Sequence, residues 1–391
     1  HAYDLATWDK VITAIQDVAT KETRLGVPIL YGIDAIHGAN YTQGSTLFPH
    51  NIGMAATRDR NMVKAGAQMT AKEVRASGHR WNFDPTLGVG RQPLWARFEE
   101  TFGEDTYLAA ELGAEVIQGY EAKGLDHPEA VASCMKHFIG YSNPRSGKDR
   151  TPAYMTDREL REHYLPTFEA AVAAGTSTVM INSGELDGMP VHASKYLLTD
   201  VLRNELGFKG MVVSDWEDVI RLKLRAHIAE TDKEAVRLAV EAGLDMSMVP
   251  LDYSFRNLLI ELVKEGSISE ERLNESVRRI LILKRNLGLF DQPYTEEEAR
   301  ANFGLEEYTE IALESAQHSM TLLKNEKGIL PLKAGQKILL AGPAANEFTC
   351  LHSSWSYNWQ GNGKEYYPKS TKTIYQAMQE RFGADQVSCV S

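Results

Sequence analysis

The chain has 391 residues, 43% hydrophobic and 24% charged, which supplies a large core and rules out disorder as its main theme. Its 42 basic against 53 acidic side chains leave a net charge of −11, so polyanions are repelled, and nucleic acid and anionic membrane are poor partners. Cys134, Cys350 and Cys389 are odd in number and far apart, which defines neither a disulfide framework nor a metal-ligand spacing. The opening HAYDLATWDK has no basic or apolar leader pattern, and no stretch approaches the roughly 18 apolar residues of a membrane span. Either the protein is cytosolic or a targeting segment has been removed.

In chain order, short apolar runs alternate with amphipathic ones. Strands are expected at 28–33, 80–83, 130–135, 178–182, 210–214 and 244–248, with helices at 58–77, 104–123, 157–174 and 195–206 between them. Repeated β then α implies a parallel sheet, and strands apolar on both faces imply that both faces are covered. An open doubly wound sheet and a closed (β/α)8 barrel both fit this order. Asp34, Lys136, His137, Asn182, Asp215 and Asp245 stand at or near different strand ends. A barrel is the architecture that gathers many strand ends around one pocket, which favours a TIM-like α/β barrel over residues 1–290. Closure would need further strands, irregular ones or ones preceding residue 1.

Ser267 with Glu270 reads as a capping box for a barrel-closing helix that Gly288 stops. Residues 291–334 form a linker with a helix from about Glu307 to Lys324, ending in LKNEKGILPL. From residue 335 to 391 a strand (KILLAGP), a polar and aromatic loop, a helix near 373–382 and a final VSCV look like the start of an α/β sandwich domain. That segment is short for such a sheet.

GFKGMVVSDWEDV sets Asp215 directly after an apolar strand, with Trp216 beside it. A carboxylate there faces a barrel mouth, and an indole can stack on the apolar face of a sugar ring. Helix capping, or an ion pair with Arg221, would equally account for Asp215 taken alone. Asp34, ending PILYGID, can accept two hydroxyls or cap a turn. Lys136 and His137 in CMKHF offer adjacent donors; Lys136 also suits a Schiff base or a plain ion pair. Arg97 in PLWARFEE is a ligand or a scaffold ion pair. Trp355 and Trp359 in HSSWSYNWQG occupy a polar loop, as an aromatic platform or as interface packing. HExxH, paired CxxC, EF-hand, P-loop and GxGxxG patterns are all missing, so no metal or cofactor is called for.

Taken in order, YGIDAIHG, FPHNIGMAATR, RASGHRWNFDPTLGVGRQPLWARFEETFGED, CMKHFIGY, VMINSGELDGMPVHAS, GMVVSDWEDVIR, AGLDMSMVP, LKNEKGILPL and SSWSYNWQG resemble glycoside hydrolase family 3. The resemblance covers nearly the whole chain, nearest to exo-acting β-glucosidases and β-glucan exohydrolases of plants and gut Bacteroidetes. It implies a (β/α)8-like domain followed by an α/β sandwich, retention of configuration, and Asp215 as nucleophile. It further implies that Asp34, Arg97, Lys136, His137 and Arg221 hold the terminal glucosyl unit, with Trp216 and Trp359 as a clamp on the next sugar. The family's acid/base glutamate lies in a later part of the second domain, expected beyond Ser391. The loop IGYSNPRSGKDRTP lacks the histidine of the hexosaminidase branch. The expected partner is a β-linked gluco-oligosaccharide, and the expected setting is a periplasmic or secreted monomer or homodimer. A β-xylosidase, a glycan-binding protein without catalysis and a Schiff-base aldolase are the alternatives.

Overall fold

The computed structural model describes residues 2–390. Parallel pairings run through it in chain order. β1 (Gly32–Ile33) pairs with β2 (Trp81–Asn82), and Trp81 bridges to Ala132 just ahead of β3 (Cys134–Phe138). β3 pairs with β4 (Thr178–Ile181); after a hairpin of β5 (Glu185–Leu186) and β6 (Met189–Pro190), β7 (Met211–Val213) pairs with β4 and bridges on to Met246. Parallel neighbours need crossovers, and these are the helices Arg60–Ala76, Thr106–Glu121, Leu165–Ala173 and Tyr196–Glu205. The result is the expected α/β barrel-like domain.

Strand alternation divides the core in two. Leu30, Trp81, Ala132, Cys134, Met180, Met211 and Val213 form an inner cluster, whereas Val131, Met135, Val179, Ile181 and Val212 face outward onto helix residues such as Val74, Leu112 and Phe168. Because successive side chains point to opposite faces, the residue ending each strand inherits a direction. Asp215 is in phase with Met211 and Val213, Lys136 with Ala132 and Cys134, and Asp34 with Leu30. The inside is packed rather than porous. At Gly32 an added Cβ would lie 2.3 Å from the Phe83 ring and 2.8 Å from Trp81, so only glycine fits.

Two expectations are corrected at the closing end. Ser267 does not start the last barrel helix, because its N–H still bonds Leu262 O at 2.9 Å to finish the helix Ser254–Lys264. Ser269 caps the helix Glu270–Asn286 instead, through Arg272 N. Leu283 of that helix and Leu287 and Leu289 just beyond it reach the inner cluster. The segment 244–248 is no regular strand but a single bridge. Asp245, expected at the mouth, is buried in the scaffold by Arg203 at 2.7 Å, Arg279 at 2.8 Å and Ser276 at 2.7 Å.

In the second unit β8 (Ile338–Ala341) pairs in parallel with β9 (Val387–Val390), and Thr373 makes a capping box with Gln376 for the helix Ile374–Phe382. Its loop around Trp355 lies against the barrel: His37 Nε2 is 2.9 Å from Trp355 O, and Ser354 Oγ donates to Glu99 at 2.8 Å. No helix among the described residues is long and apolar enough to cross a membrane.

Candidate active site

A cavity of about 300 Å³ opens where the strands end. Asp34, Arg97, Lys136, His137, Asp215, Trp216, Trp355 and Trp359 all line it. Arg221 does not: it lies a turn along the helix Asp218–Leu224 and pairs with Glu217 at 3.1 Å. Arg150 stands at the cavity in its place, with Tyr41, Met180 and Met248. The Lys136–His137 and Phe138–Ile139 peptides are cis.

Asp215 is nearly buried. Its Oδ1 accepts from Trp216 N at 2.6 Å, and its Oδ2 has no hydrogen-bond partner. The helix that follows begins after Glu217 and takes no side-chain cap, so Asp215 is not spent on capping. The Arg150 guanidinium lies 3.9 Å from Oδ1 and His137 Nε2 lies 3.8 Å from Oδ2. Asp215 N donates to His192 Nε2 at 3.3 Å, and burial above all takes His192 down to about 3. His192 is thus a neutral acceptor that fixes the backbone of the carboxylate.

Lys136, 1% exposed, donates to Asp34 Oδ1 at 2.7 Å and sits 5.4 Å over the Trp355 ring. It is engaged on two sides, unlike the free amine a Schiff base requires. Burial raises the Asp34 carboxyl, and Lys136 counters that rise. Arg97 is held by both oxygens of Glu100 at 2.8 Å each, a planar bidentate fork. Its third contact, Nη2 to His137 Nε2 at 3.2 Å, makes that ring nitrogen the acceptor and leaves the hydrogen on Nδ1, which has no partner. Burial first, then Arg97, Lys136 and Arg150, hold His137 well below its ordinary range. The ring is therefore neutral at the cavity wall.

Glu100 is buried as well and also accepts from Trp355 Nε1 at 2.7 Å. Burial pushes its carboxyl up, but the Arg97 cation and hydrogen bonds prevail and keep it below the ordinary value. Asp218 lies behind Asp215; burial, then the Asp215 charge, push it up to about 7 despite Arg225 at 3.0 Å. Trp216 and Trp359 are 48% and 54% exposed, so two indoles present open faces at the mouth.

The arrangement offers a carboxylate with one free oxygen, a cation beside it, several fixed donors and a second carboxylate. That set can hold a polyhydroxylated ring and attack it. Among the described residues no His, Cys, Asp and Glu group is suited to a metal ion. The additional lining residues left uneven traces in the sequence. Alternation along β4 aims Met180 inward and could have found it, whereas Arg150 lies in a loop with φ 59° and no periodicity to place it.

The Glycosyl hydrolase family 3 N terminal domain matches residues 3–283, and the Glycosyl hydrolase family 3 C-terminal domain matches residues 320–388. A lysosomal beta glucosidase of Dictyostelium discoideum is 45% identical over 92% of the chain and 45% of its own length. A periplasmic beta-glucosidase of Salmonella typhimurium is 32% identical over 88% of the chain and 45% of its own length. Among solved structures, the beta-glucosidase of Listeria innocua in complex with glucose aligns with TM-score 0.87 and 33% identity, over 97% of this chain and 51% of its own. The exo-1,3/1,4-beta-glucanase of a Pseudoalteromonas species aligns with TM-score 0.90 and 34% identity, over 100% of this chain and 50% of its own. The chain spans about half the length of these relatives. With the barrel, the strand-end Asp215 and the paired domains all in agreement, the chain belongs to glycosyl hydrolase family 3.

Proposed function

We propose that this chain forms the substrate-holding and nucleophile-bearing part of a retaining, exo-acting β-glucosidase or β-glucan glucohydrolase. The observation that carries the reading is Asp215 Oδ2, a nearly buried carboxylate oxygen without a partner beside a cavity lined by Asp34, Arg97, Lys136 and His137. A volume of about 300 Å³ lies at the small end of ordinary ligand pockets and suits one sugar ring, with the indoles at the mouth receiving the next. The named relatives and solved neighbours support glucose as that ring.

In this reading Asp215 attacks C1 of the terminal glucosyl unit from one face as the glycosidic C–O bond breaks. The departing oxygen takes a proton from an acid, for which the family resemblance supplies a glutamate of the second domain. The resulting glucosyl ester is cleaved by water, which restores the carboxylate and yields glucose of unchanged configuration. Arg150 offsets the negative charge before the attack, and Asp34 with Lys136 fixes the ring through its hydroxyls. The periplasmic relative supports an extracytoplasmic setting. The test is a screen of aryl β-glucosides, β-xylosides and β-linked disaccharides, with proton NMR of the first sugar released. β-Glucose as the first product supports the reading. α-Glucose, or binding of an aryl β-glucoside with a good leaving group without any release, contradicts it.

A further inference from the structure

We propose that Glu100 is a positioning residue that pins the second unit's Trp355 loop to Arg97, so that one buried carboxylate sets both the glucosyl pocket and the loop carrying Trp359. The proposal rests on the β-glucosidase reading of the site. Glu100 Oε1 accepts from Arg97 Nε at 2.8 Å and from Trp355 Nε1 at 2.7 Å, while Oε2 accepts from Arg97 Nη2 at 2.8 Å. Trp355 passes the constraint on through its backbone, since its N–H donates to the Trp359 carbonyl at 2.9 Å. Its ring forms part of the cavity wall, over Lys136.

The loop needs such a pin. Ser353, Trp355 and Tyr357 have φ of 58°, 58° and 61°, a left-handed conformation that costs non-glycine residues about 1 to 2 kcal/mol each and persists only where surroundings enforce it. The barrel supplies enforcing contacts: Glu100 on the indole, Glu99 on Ser354 and Ser353, and His37 on the Trp355 carbonyl. Of these, only Glu100 also holds a side chain that reaches the sugar site.

The substitutions Glu100→Gln and Trp355→Phe, singly and together, separate this role from mere stability. A glutamine turns an amide N–H₂ toward the Arg97 donors and loses the fork, whereas phenylalanine keeps an aromatic face on the cavity but loses the indole donor and part of the ring surface. Glucose affinity is measured by calorimetry, and KM and kcat with cellobiose, in the full-length protein. Glu100→Gln is expected to weaken glucose roughly tenfold and to raise KM more than it lowers kcat. Trp355→Phe is expected to raise KM for cellobiose roughly fivefold while glucose changes by less than about threefold. The double variant should match Glu100→Gln within about twofold, because both act through one contact.

Effects that multiply instead, or a fall in kcat with KM and glucose affinity unchanged, overturn the proposal. Should Glu100→Gln lack a cooperative melt, Trp355→Phe decides alone by the same split. A wild-type protein that neither binds glucose nor releases it refutes the parent reading and takes this one with it, a result distinct from multiplicative losses in an active enzyme.

Discussion

Replacing Lys136 by methionine tests the energetic heart of the pocket. Lys136 is 1% exposed and 2.7 Å from Asp34, whose side chain keeps 28% of its surface. Removing one partner of a buried pair costs about 3 to 5 kcal/mol, because the other charge is left uncompensated. The residual exposure of Asp34 places this site at the low end, about 3 kcal/mol of folding stability. A lost charge-assisted hydrogen bond to substrate, about 2 kcal/mol, lowers kcat/KM by a further factor of roughly 30 among molecules that still fold. Urea melts and aryl glucoside kinetics measure the two quantities. Adding Asp34→Asn should return at least about 1 kcal/mol of the stability, since the orphaned charge is then gone. Strictly additive losses would refute the reasoning, as would a Lys136→Met protein as stable as wild type.

Asp218, pushed up to about 7, gives a pH prediction. The folded chain keeps a proton that the unfolded chain releases near pH 4, so this stability is full below about 4 and is lost as pH rises through about 7. Asp218→Asn should flatten that fall, which for one proton has a slope of at most about 1.4 kcal/mol per pH unit; parallel stability curves from pH 5 to 8 would count against it. Trp359→Ala should raise KM for cellobiose roughly tenfold while glucose inhibition changes little, a loss of one stacking face, and an equal loss for both ligands would move this indole off the leaving-sugar position. Gly32→Ala should cost at least about 1 to 3 kcal/mol in melts, because its Cβ would meet Phe83 and Trp81 inside the barrel; a neutral change would show that the inner cluster can shift.

What the sequence showed of this site follows from strand periodicity. Met211, Val213 and Asp215 share a phase, as do Ala132, Cys134 and Lys136, so apolar strands announced which polar residues would reach the mouth. The same reasoning failed where the backbone leaves the strand. Asp245 follows an apolar run but meets Arg203 and Arg279 in the scaffold, and nothing in its local pattern reveals those distant cations. Arg150 against Arg221 is a similar case, since a loop residue with positive φ reaches the cavity while a helical arginine beside Asp215 in sequence turns to Glu217. Contacts of long sequence separation, above all Glu100 with Trp355, are invisible to any local rule.

The decisive measurement is mass spectrometry of peptides after incubation with 2,4-dinitrophenyl 2-deoxy-2-fluoro-β-glucoside, whose good leaving group needs little acid and whose fluorine slows release of the ester. A fluoroglucosyl adduct on the peptide containing Asp215, absent from Asp215→Ala, is the predicted result. An adduct on another carboxylate, or rapid turnover by Asp215→Ala, would contradict the account.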